Sequence, residues 1–149
     1  MSARIARFKR LLDLREHQLT ERRTEQSRAE HAQAEARIAL EKQQQTLRDA
    51  ALGFRVPAGQ TRAAQDFIAH SDWLQTQVKA LEKVTIRFNQ AKERVRQTAA
   101  LRVRAEQEKR KVELLLAKIR EEVRAEEARQ EQKETDELAA QKKLARTLP

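Results

Sequence analysis

The chain has 149 residues, 37% of them charged, a net charge of +9, one tryptophan, four phenylalanines and no tyrosine. So few large apolar side chains exclude a wide globular core and leave a thin seam as the place where apolar surface is buried. The absence of cysteine excludes disulfides and thiolate metal sites, while His17, His31 and His70 stand far apart without a ligand pattern, so neither metal nor cofactor is expected.

From the N-terminus, steps of three and four residues pass through Ile5, Phe8, Leu12, Arg15, Leu19, Arg22, Gln26, Ala29, Gln33, Ala36, Leu40, Gln43, Leu47, Ala50 and Phe54. This heptad stripe predicts a first long helix over about residues 3–53. Both glycines and the only internal proline then fall between Gly53 and Gly59, where glycine's conformational freedom and proline's missing N–H stop a helix. A second stripe runs through Leu74, Gln77, Leu81, Val84, Phe88, Ala91, Val95, Thr98, Arg102, Ala105, Lys109, Val112, Leu116, Ile119 and Val123, and predicts a second helix over about residues 73–146.

Both stripes are apolar at their ends and polar in the middle, which suggests an antiparallel pairing of like with like. Ile5 then faces Val123, Leu12 faces Leu116, Leu40 faces Phe88, Phe54 faces Leu74, and Ala29 lies near Ala99. A middle this poor in large apolar groups is expected to bend or fray. The register leaves residues 54–72 outside the pairing, too many for a tight turn. They are expected to hold a short helical cap starting near Thr61, with a fresh start at Ser71 and Asp72 before Trp73; the alternative is a second helix that simply begins at Thr61. Beyond Val123 the stripe loses its large apolar residues, so the C-terminal segment is expected to project alone, over up to about 35 Å if helical. The fold class read here is all-α, a single long two-helix antiparallel coiled coil with a short cap in the connection and a projecting C-terminal helix.

Such a fold has little room for catalysis, which needs convergent polar groups in a concave site. The sequence has no glycine-rich phosphate loop, no HExxH and no nucleophile motif, so the chain reads as a binding or mechanical protein and not an enzyme. No apolar run approaches the length needed to cross a bilayer and the N-terminus lacks a secretory signal, so a cytoplasmic location is expected. A net charge of +9 allows an anionic partner, with basic clusters at Arg4, Arg7, Lys9 and Arg10 and at Arg102, Arg104, Lys109, Arg110 and Lys111. The interleaved glutamates and the lack of an aromatic platform disfavour nucleic acid. Leu101, Val103, Leu114 and Leu115 lie off the stripe and fit either a widened seam or a further helical partner.

Two segments resemble the FliJ/YscO family of type III secretion stalk proteins, flagellar or injectisome. One is Trp73-Leu74-Gln75-Thr76-Gln77-Val78-Lys79-Ala80-Leu81; the other is Arg129-Gln130-Glu131-Gln132-Lys133-Glu134-Thr135-Asp136-Glu137-Leu138-Ala139. The resemblance implies a central stalk that inserts its paired ends into the hexameric export ATPase and couples it to the export gate. It makes Arg129, Gln132, Lys133, Asp136 and Glu137 ATPase contacts, and Trp73, Gln77, Ala80 and Val84 contacts to the gate's cytoplasmic domain. Gln77 and Val84 depart from the residue types expected at those gate positions. Export chaperones are a further implied partner class, and the implied location is cytoplasmic, peripheral to the inner membrane. The alternative function is a basic coiled-coil scaffold that binds RNA or other helical proteins.

Overall fold

The computed structural model describes residues 2–53 and 63–148. Two helices account for nearly all of them: α1, Ser2–Gly53, and α2, Ala64–Thr147. Among the described residues there is no strand. By internal contacts the chain divides into two compact units, one of Met1–Thr20 with Arg104–Pro149, the other of Glu21–Val103.

In the first unit the two helices run in opposite directions, since Arg4 pairs with Glu122 while Arg15 and Glu16 pair with Glu108 and Lys109. Leu19, Val112, Leu116 and Ile119 are its buried apolar residues. Their spacing puts the α2 members on one face, and the removal of that face from water is the main force holding the unit together. Arg15 and Lys109 occupy stripe positions without disrupting it. Each lies half-buried with its aliphatic stem along the seam, while the Arg15 guanidinium reaches Glu108 at 4.0 Å and Gln18 at 3.1 Å. The Lys109 ammonium reaches Glu113 at 3.6 Å and Glu16 at 4.0 Å.

The second unit is built differently. Here Arg102 Nε donates to Gln26 Oε1 at 2.5 Å, and Gln43 Nε2 donates to Gln77 Oε1 at 2.8 Å and to the Gln77 carbonyl at 3.3 Å. Its most buried residues are Ala29 and Thr98, 6% and 1% exposed. The Thr98 hydroxyl donates to the Arg94 and Val95 carbonyls, so its burial leaves no orphaned polar group. The expected fraying is absent: both helices continue unbroken through Ala29 and Thr98. Small side chains bring two backbones together and bury what lies between them, so a seam poor in large residues is narrow without being loose.

The stripes themselves hold. Every described position from Ile5 to Ala50 and from Leu74 to Val123 named above is buried or half-buried. The pairing is offset in detail. Gln26 meets Arg102 as the alignment of Leu40 with Phe88 requires, but Arg37, not Leu40, lies over the Phe88 ring at 5.9 Å, and Gln43 reaches Gln77 where that alignment would give it Thr85. Offsets of three residues at Arg37 and eight at Gln43, about one and two helical turns, leave heptad stripes facing one another, so the pattern constrains the face more tightly than the partner.

The separate cap is replaced by a longer second helix. Ala64 to Asp72 are continuous with α2, which starts where the Asp66 and Phe67 amides donate to the Ala63 carbonyl at 3.1 and 3.3 Å. Between Ala63 and Trp73 no glycine or proline interrupts the helix, and Asp66 in the first turn complements the helix dipole. Asp72 does not restart it; its carbonyl accepts the Thr76 hydroxyl as an interior residue does. Helix α1 runs to Gly53, where an added Cβ would meet nothing within 4 Å, so that glycine acts through its low helix propensity and not through a crowded turn. The remainder of the expected break, including Phe54, Pro57, Gly59 and the start at Thr61, lies outside the described residues.

Candidate interaction surfaces

At the C-terminal end of α2 every residue from Arg124 to Thr147 is exposed. Arg129, Gln132, Lys133, Asp136 and Glu137 all belong to this stretch, and their spacing of three, four, seven and eight residues from Arg129 puts them on one side of the helix. Among the described residues, the bonds of Arg129, Gln132 and Asp136 go to helical neighbours: the Arg129 guanidinium lies 3.7 Å from Glu126 and donates to the Ala125 carbonyl at 3.4 Å, and Gln132 Nε2 donates to Asp136 Oδ1 at 3.0 Å. Neighbours at three and four residues support an isolated helix only weakly. The face therefore presents a cationic, amide and carboxylate array open to exchange its contacts.

Trp73, Gln77, Ala80 and Val84 also share one side of α2, but the structure gives them different surroundings. Trp73 is 42% exposed, with the His70 ring 5.8 Å from it at 33°. Gln77 is engaged by Gln43, and Ala80 and Val84 are half-buried. Three of the four thus form part of, or border, the seam of the second unit, and Trp73 is the member left most open. Phe67, Ile68 and Val78 are exposed at 62%, 60% and 46% near the start of α2, on the side of the helix away from Trp73, and the stripe did not flag them because they lie off it.

Among the off-stripe apolar residues, Leu101 is half-buried, as a widened seam requires, whereas Val103, Leu114 and Leu115 are 41%, 54% and 49% exposed. No group of three or more His, Cys, Asp or Glu able to hold a metal occurs among the described residues. No helix among them is long and apolar enough to cross a membrane.

Two packed helices with a long, charged, exposed end describe an all-helical protein with extended surface open to other proteins. The chain belongs to the flagellar FliJ protein family, which it matches over residues 4–147. It is accordingly a structural component of flagellar, type III protein export. No curated relative and no solved structure matches it.

Proposed function

We propose that the chain is the central stalk of the export apparatus, with the exposed end of α2 inserted into the hexameric export ATPase. The observation that carries this reading is the stretch from Arg124 to Thr147, helical and exposed along its whole length, within the part of the chain that the family match covers. An isolated helix of this kind is marginal in water. A ring around it would bury its surface and stabilise it. Arg129, Gln132, Lys133, Asp136 and Glu137 are the contacts, and an array of both signs lets a slim helix exchange partners as the subunits of a ring change state. Hydrolysis belongs to the ring.

The start of α2 faces the export gate. Trp73 is the anchor there, since a large, partly exposed aromatic side chain carries a disproportionate share of binding energy. Gln77, Ala80 and Val84 act mainly by holding the segment against α1. The protein works on the cytoplasmic face of the inner membrane, and export chaperones are further partners.

The test is capture of the purified export ATPase by the chain and by the variant Lys133→Ala/Asp136→Ala/Glu137→Ala. Loss of capture with helicity unchanged is expected; wild-type capture would remove the C-terminal assignment. Separately, Trp73→Ala is expected to weaken binding to the gate's cytoplasmic domain, and equal binding would remove that site.

A further inference from the structure

The surplus positive charge is not spread evenly along the chain. Between residues 79 and 104 eight Lys and Arg stand against two Glu, so +6 of the net +9 falls in this part of α2. Lys79, Lys83, Arg87 and Arg94, with Gln90 between the last two, follow one another at steps of three and four along one flank of the helix, and all are exposed. Some other cations on α2 are paired locally, as Arg96 is with Glu93, Arg110 with Glu113 and Lys111 with Glu108. No ion pair among the described residues involves any of these four.

An opposite surplus lies further along the same helix. From residue 126 to 137 six acidic residues stand against Arg129 and Lys133. Glu126 is paired with Arg129, but Glu127, Glu131 and Glu134 have no ion pair among the described residues and are exposed on one side of α2. That side lies across the helix from Arg129, Lys133 and Asp136, and it continues into Leu138, 58% exposed.

We infer that the acidic side of the α2 end in one molecule docks on the basic row of α2 in a second copy. The spacing fits: at 1.5 Å per residue, Lys79 to Arg87 spans about 12 Å and Glu127 to Glu134 about 10 Å, so three cations meet three carboxylates along two helices laid side by side. Ile86, 56% exposed beside the basic row, offers apolar surface to Leu138. Both rows belong to one element, Ala64–Thr147, and each finds its complement in a second copy. Exposed ion pairs are individually weak and screened over about 10 Å at 0.1 M salt, which makes the association weak and salt-sensitive. This inference does not rest on the ATPase reading, and the two contacts exclude one another, because a ring that encloses the α2 end also covers its acidic side.

Sedimentation equilibrium of the full chain at low and high salt provides the test. Self-association at low salt that disappears at high salt is expected, and its loss in Lys79→Glu/Lys83→Glu/Arg87→Glu. The variant Glu127→Lys/Glu131→Lys/Glu134→Lys is expected to be equally monomeric alone, and an equimolar mixture of the two variants to associate again. Circular dichroism of each variant reports folding, and Lys→Gln and Glu→Gln versions replace any variant that loses helicity. A wild-type chain that stays monomeric at low salt, variants that associate as the wild type does, or a mixture that fails to associate would each overturn the inference. Binding of heparin by the basic row without self-association would overturn it as well, in favour of a polyanion partner.

Discussion

Helix α2 contains two regions of similar regularity and opposite energetic character. Between Val112 and Ile119 it buries Val112, Leu116 and Ile119, while from Arg124 to Thr147 it buries nothing. The first region is stable because apolar area leaves water; the second has only local hydrogen bonds and charge pairs to sustain it. The difference separates residues that hold the chain together from residues exposed along their whole length. A helix of 84 residues is thus one element by geometry and two by energetics.

Substitutions can break or sharpen that contrast. Leu116→Ala is expected to cost about 3 kcal/mol of unfolding free energy by removing buried methyl groups and leaving a cavity, measured by denaturant titration. Thr98→Leu is expected to cost about 2 kcal/mol, because the seam around Thr98 is closed and its hydroxyl bonds are lost; a neutral result would mean the helices there are not closely apposed. Gln43→Ala removes the bond to Gln77 and is expected to lower stability by about 1 kcal/mol. In contrast, Lys133→Ala/Asp136→Ala/Glu137→Ala is expected to leave stability within about 0.5 kcal/mol of wild type while abolishing ATPase capture. A large loss of stability in that variant would show that the α2 end packs within the free protein.

Much of the fold was legible in the sequence because a heptad stripe reports directly on which side of a helix is buried. Ile5, Leu12, Leu81 and Val95 all lie in the seam, and so do Gln26, Arg102 and Lys109, which composition alone would have placed at the surface. The pairing partner was less legible, since stripes that repeat every seven residues tolerate a slip, as Arg37 over Phe88 shows. The start of α2 was misplaced because Ser71 and Asp72 have the chemistry of a cap, yet a cap forms only where a preceding residue stops the helix, and none does between Ala63 and Ser71. At the candidate surfaces, the shared side of Arg129, Lys133 and Asp136 could be read from spacing. The engagement of Gln77 by Gln43 could not, because it depends on the register of the opposing helix.

Amide hydrogen exchange measured with and without the purified export ATPase bears most directly on the claim that the α2 end is left for a partner. The free protein is expected to exchange rapidly from Arg124 to Thr147 and slowly from Val112 to Ile119. Addition of the ATPase is expected to protect the first segment and leave the second unchanged. Strong protection of Arg124 to Thr147 in the free protein, or no gain of protection on binding, would contradict the account.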